Sequence, residues 1–161
     1  MIVVADTGPL NYLIQIKCDS LLQSLFSRVI IPKTVLLELT HDVAPRIVLD
    51  WATNLPGWVE LKRASASDDP YLRNLGDGER EAILLAEELS ANLLLMDERR
   101  GRAEAARRRL RAMGTLGVLA QADQRGLVNA SDTYRRLISE TNFRTTPRLE
   151  RDFLKLLASS S

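Results

Sequence analysis

The sequence predicts an α/β fold, a three-layer α/β/α sandwich around a mainly parallel central sheet, and three observations carry that expectation. Ile2, Val3, Val4 and Ala5, and again Leu93, Leu94, Leu95 and Met96, form unbroken apolar runs, which suit strands buried on both faces. Helical patterns separate these runs from further strand candidates at 29–31 and about 110–114, and such alternation builds parallel sheets. Both runs end on a carboxylate, Asp6 and Asp97, at the strand edge where open α/β sheets gather their ligands. Asp6 as a simple helix cap is the competing reading.

At 161 residues, 45% hydrophobic and 27% charged, the chain has the size and make-up of one soluble domain, expected over 1–158 with 159–161 as a disordered serine tail. Cys18 stands alone, which excludes an internal disulfide and a multi-cysteine metal cluster and suits a reducing cytoplasm. The single His41 excludes zinc motifs that need two histidines. No apolar run approaches the roughly 18 residues of a membrane span and no basic-then-apolar leader is seen, so no membrane partner is expected. The net charge of +1 hides a split. Residues 1–97 carry 8 Lys and Arg against 14 Asp and Glu, whereas 98–161 carry 14 against 7. Such asymmetry points to a polyanionic partner.

In chain order, Thr7, Gly8 and Pro9 form a turn from which a helix starts, carrying Leu10, Leu13, Ile14 and Ile16. Leu21, Leu22, Leu25 and Phe26 mark a second helix with Asp19 or Ser20 as cap. Val29–Ile31 is a short strand stopped by Pro32, and the next helix runs through Val35 and Leu39. Glu38 falls on its polar stripe, as a solvated or a functional acid. Pro45 opens a helix through Trp51 that Pro56-Gly57 closes, residues 58–61 alternate like a short strand, and 63–70 read as a loop.

A strong helix enters at Gly76-Asp77-Gly78-Glu79, with Asp77 or Gly78 as its cap. Ala82, Ile83 and Ala86 follow Glu79 at spacings that put it on the core-facing stripe, while Glu81 turns toward solvent. A plain crossover is expected to set the start of this helix at the far edge of the sheet from Asp6. After Asp97 come seven arginines between 99 and 111, a solvated helix face or a phosphate-binding one. Leu116–Ala122 begins a helix ended by Gly126, Ser131 or Asp132 caps the next, and Pro147 precedes a final helix with Leu149, Phe153, Leu156 and Leu157 on one stripe.

The run Val4-Ala5-Asp6-Thr7-Gly8-Pro9-Leu10, then Pro32-x-x-Val35-x-x-Glu38-Leu39, then Gly78-Glu79 with Ala86, Ala91 and Leu93 leading to Asp97, resembles the PIN-domain ribonucleases, the fold of VapC-like toxins. Gly114–Leu119 is similar to a less characterised PIN subgroup. The interval of 18 from Glu79 to Asp97 resembles that between the family's third and fourth acids. Two departures stand out: the third acid is Glu where the toxins usually carry Asp, and Leu95 replaces a Thr or Ser that makes a hydrogen bond near the last Asp.

The resemblance implies that Asp6, Glu38, Glu79 and Asp97 meet in one site, with Asp77 and Glu81 as alternatives to Glu79. Converging carboxylates raise each other's pKa unless a counter-charge is present, and oxygen-only donors select hard ions such as Mg²⁺ or Mn²⁺. The expected activity is metal-dependent hydrolysis of RNA phosphodiesters. Asp6 and Asp97 would hold the metal, Glu38 and Glu79 would bind it directly or through water, and Arg99, Arg100 or Arg102 would grip the substrate backbone. A toxin role, an antitoxin partner and a homodimer are further implications of the resemblance. Aromatics at 5% argue against a stacking platform for long single strands. The alternative is a binding or regulatory module, either a catalytically weak PIN-like fold or a receiver-like domain. A receiver needs a strand-end lysine, and after residue 63 the only lysine is Lys155.

Overall fold

A computed structural model describes residues 1–159. Five strands, β1 (Val3–Ala5), β2 (Val29–Pro32), β3 (Val59–Lys62), β4 (Leu93–Leu95) and β5 (Ala112–Met113), form one sheet in the order β3-β2-β1-β4-β5, and every pairing is parallel. The expected strand at 58–61 is the partly exposed edge strand β3 and joins the four strands assigned to the sheet from pattern alone. Strand order runs outward in both directions from the β1/β4 pair, so the topological switch point lies between them, in register Ala5 to Leu95.

Helices α1 (Thr7–Gln15), α2 (Ser20–Phe26), α3 (Lys33–Leu39), α4 (Arg46–Thr53), α5 (Asp77–Glu88), α6 (Arg99–Arg107), α7 (Thr115–Gln124), α8 (Ala130–Glu140) and α9 (Pro147–Ala158) cover the two faces. Because side chains alternate along a strand, Val3, Ala5, Val29, Ile31, Leu93 and Leu95 pack into one core with α1, α2, α4, α7, α8 and α9. Val4, Ile30 and Leu94 fill a second core with Ala82, Ile83, Leu85 and Ala86 of α5 and Ala105 of α6. Both faces are thus covered, which explains the unbroken apolar runs.

Four expectations need correction. A parallel crossover returns the chain from the carboxyl edge, so α5 begins at the same edge as Asp6 and not at the far one. Gly78 N–H, in its first turn, donates to Glu38 Oε1 at 2.9 Å. Glu81 does not face solvent. Its carboxylate accepts from the Thr34 N–H at 2.7 Å, the Thr34 hydroxyl at 2.8 Å and the Ala64 N–H at 3.1 Å, tying α5 to the start of α3 and the strand exit after β3. It is a structural tie and not a stand-in for Glu79. The cap of α5 is Gly76, whose N–H is held by Glu79 at 3.2 Å, and not Asp77 or Gly78. Asn129 caps α8, accepting from Asp132 N–H at 3.0 Å, where Ser131 or Asp132 was expected.

Part of the arginine run is structural. Arg108, its side chain 8% exposed, bonds Asp69 at 2.7 Å, Glu87 at 2.6 Å and Glu104 at 2.9 Å. Burial opposes its charge, but the three carboxylates outweigh it and hold the guanidinium above its usual pKa. Arg107 pairs with Glu104 and lies over the Tyr71 ring. Ser159 closes α9 with its N–H on Lys155 O, and residues 160 and 161 of the expected serine tail lie outside the described residues. Among the described residues no helix is long and apolar enough to cross a membrane.

Candidate active site

β1 ends at Ala5 and Asp6 occupies the position before α1, yet its side chain makes no capping hydrogen bond, so the simple cap reading fails. Its backbone N–H donates to Leu95 O at 2.8 Å, which holds Asp6 against the strand that leads to Asp97. Asp6 is 5% exposed, and its Oδ1 is buried with no hydrogen-bond partner. A bare buried carboxylate oxygen costs on the order of a few kcal/mol, so a group in this state invites an external ligand or a proton. Burial pushes the Asp6 carboxyl up to about 7. The adjacent Thr7 N–H pulls it down, and Glu79, Glu38 and Asp97 push it further up.

The cleft around Asp6, about 400 Å³, is lined by Thr7, Glu38, Glu79, Asp97 and Glu98, and also by Tyr12 and Arg144. All four acids expected from the sequence therefore meet at the switch point. Glu38 is drawn in by donors from two directions: the Thr7 hydroxyl at 2.5 Å and the Gly78 N–H at 2.9 Å. Gly78 permits that approach, because a Cβ there would stand 2.6 Å from Glu38 Oε1. Glu79 lines the cleft while accepting from the Gly76 N–H, so the local helix-start role and the cleft position coexist. Burial raises its pKa, the Gly76 N–H opposes that, and Glu98 and Glu38 add to it.

Asp97 lies just beyond β4. Burial raises its pKa, while Thr115, which donates from its hydroxyl to Oδ2 and from its N–H to Oδ1, both at 2.7 Å, and the nearby Arg102 lower it. Thr115 thus supplies hydrogen bonding to this Asp from a different strand exit, with Leu at position 95. Gly114 gives the room: a Cβ there would lie 2.8 Å from Asp97 Oδ1 and 3.0 Å from Arg102 Nη1.

Of the three arginines expected to hold substrate, Arg102 borders the cleft in a second cavity that shares Asp97, Phe143 and Arg144 with it. Arg99 and Arg100 are exposed and line neither cavity. Sequence reasoning missed Thr7, Thr115, Glu98 and Arg144. Glu98 caps α6 through the Gly101 N–H at 2.8 Å and adds a fifth acid to the cleft. The Thr-after-Asp pair at 6–7 was a readable signal for Thr7; nothing local marks Thr115, which comes from another strand exit.

As they stand, no three acids among the described residues are arranged as a ready ligand group for a metal ion. Glu38, Glu79 and Asp97 spend oxygens on protein donors, whereas Asp6 Oδ1 is buried without one. The donor chemistry nevertheless fits a hard divalent cation: carboxylate and hydroxyl oxygens with no sulfur or imidazole in the lining.

An all-parallel sandwich with an acidic cleft at its topological switch point defines a class of α/β ligand-binding and catalytic domains. A family model described as a PIN domain matches residues 2–159, and the chain belongs to that family. Comparison with curated proteins and with solved structures gives no match. The fold of the family is of nuclease type.

Proposed function

We propose that this chain is a divalent-metal-dependent endoribonuclease, with Asp6, Glu38, Glu79 and Asp97 as its catalytic acids. The single observation that carries the proposal is Asp6: a nearly buried carboxylate with one oxygen unpartnered, at the switch point, among three further acids. Asp6 and Asp97 would hold Mg²⁺ or Mn²⁺, with Glu38 and Glu79 joining directly or through water. A bound ion supplies counter-charge to these acids and Lewis acidity toward a phosphoryl oxygen. The chain's own groups do the rest. Glu38, steadied by Thr7, and Glu79, steadied by Gly76, would accept a hydrogen bond from an attacking water and take its proton. Thr115 holds Asp97 in orientation. The exposed Arg99 and Arg100 and the cleft-side Arg102 draw in the phosphate backbone.

The toxin of a toxin–antitoxin pair, acting as a cytoplasmic homodimer, is the biological setting we propose. The test compares the purified protein with Asp6→Asn on mixed structured RNAs in Mg²⁺, in Mn²⁺ and in chelator. Metal-dependent cutting by the wild type alone supports the proposal; equal cutting by both proteins, or none by the wild type, refutes it.

A further inference from the structure

The second cavity, about 450 Å³, opens beside the acidic cleft and is lined by Arg102, Arg111 and Arg144. Leu116, Leu149, Phe153 and Leu156 give it an apolar wall, and Asp152 gives it one acceptor besides Asp97. The three arginines come from separate parts of the chain: the first turns of α6, the residue before β5 and the connection between α8 and α9. Among the described residues none of them is in an ion pair, whereas Arg107 and Arg108, from the same arginine run, are both paired. Against these three guanidiniums the hollow sets two carboxylates, Asp97 and Asp152, so one positive charge is left over for an anion to meet. A purely anionic ligand would have no use for the apolar wall. A nucleotide satisfies both halves, with its phosphate on the arginines and its base on the aliphatic and aromatic surface, and the volume lies within the range of small-ligand pockets.

We infer that this cavity is the subsite for a nucleotide adjoining the scissile phosphate of an RNA strand, held by Arg102, Arg111 and Arg144 against the Leu149–Phe153–Leu156 wall. Asp97, Phe143 and Arg144, which line both hollows, place it next to the four acids. The inference rests on the RNA reading of the acidic cleft, but it concerns binding and is measured without cleavage. Asp152 accepts hydrogen bonds, so it favours a base edge that donates them.

The experiment titrates the protein, in chelator, against a short fluorescein-labelled single-stranded RNA of mixed sequence and follows anisotropy at several salt concentrations. Arg111 lines this cavity and not the acidic cleft, and its residue is exposed. Arg111→Gln is expected to weaken binding about ten-fold and to lower the salt slope by about one. Arg111→Lys is expected to restore the slope but only part of the affinity. Arg135→Gln, which removes an equal charge from an exposed site on α8, is expected to leave binding within about two-fold. The inference is overturned if Arg111→Gln binds like wild type, if Arg135→Gln weakens binding as much, if wild type does not bind RNA, or if oligoglutamate of equal charge competes as well as unlabelled RNA. Arg111-dependent binding without metal-dependent cutting keeps the subsite and refutes the nuclease. Cutting with Arg111-independent binding does the reverse.

Discussion

The protein gathers charge in two places and treats them in opposite ways. Around Arg108, three carboxylates, Asp69, Glu87 and Glu104, share that guanidinium and, for Glu104, the one of Arg107, so each carboxylate has a cation partner inside the chain. Around Asp6, four further acids and Arg144 line a cleft, and the buried Asp6 Oδ1 has no donor. The first arrangement ties the connection after β3 to α5 and α6. The second leaves an unmet demand for positive charge, which is how a fold keeps room for a cation and a phosphate. Charge that is matched internally reads as structure, and charge left unmatched in a cleft reads as function.

The largest effect that sharpens this contrast is on cleavage. Asp6→Asn is expected to reduce metal-dependent RNA hydrolysis by about 10³-fold, since one centre of metal attraction is lost while the shape is kept; gel assays under single-turnover conditions check it. The same substitution is expected to stabilise the metal-free protein at high pH. The Asp6 pKa is raised from 3.8 to about 7, so the folded state holds a proton that the unfolded chain releases above about pH 4. The fold is therefore favoured most below that point and loses up to ~4 kcal/mol as pH rises through 7. Asp6→Asn removes the loss, and its melting temperature in chelator at pH 8 is expected to exceed wild type by about 10 °C, with the gap closing toward pH 4.

Arg108→Ala supplies the converse. Removing this guanidinium leaves Asp69 and Glu87 without their ion pairs and Glu104 with Arg107 alone, and a cost of about 2 to 3 kcal/mol is expected in urea melts, while cleavage by the folded fraction stays unchanged. Loss of cleavage without loss of stability would break the division between the two regions. The smallest effect is expected at Thr115. Thr115→Val removes the hydroxyl bond to Asp97 Oδ2 but leaves the N–H bond to Oδ1, so about ten-fold slower cleavage is expected with a stability change near 1 kcal/mol.

How much of this was legible in the sequence depended on whether a signal was local. Asp6 and Asp97 were readable because an apolar run that stops on an acid marks both a strand and its edge. Glu38 and Glu79 were placed only through resemblance, since a helical wheel orients a side chain relative to its own helix and is silent about what that helix meets. The same blindness put Glu81 in solvent: the donors that hold it, on Thr34 and Ala64, lie 47 and 17 residues away. The arginine run was read as one feature, and the fold divides it. Arg108 turns inward to three acids, while Arg102 and Arg111 line the cavity beside the cleft together with Arg144 from beyond α8. The crossover expectation for α5 failed on geometry rather than on sequence, because helices in parallel sheets start where the preceding strand ends.

The most direct measurement of the central claim is the melting temperature of wild type and Asp6→Asn at pH 8 across a Mn²⁺ titration that starts from chelator. A ligand that binds only the folded state raises the melting point with concentration. The wild type is expected to climb steadily and the variant to stay flat from its higher starting point. Parallel curves for the two proteins, or a wild type indifferent to the ion, would contradict the claim that Asp6 stands at the centre of an uncompensated cation site.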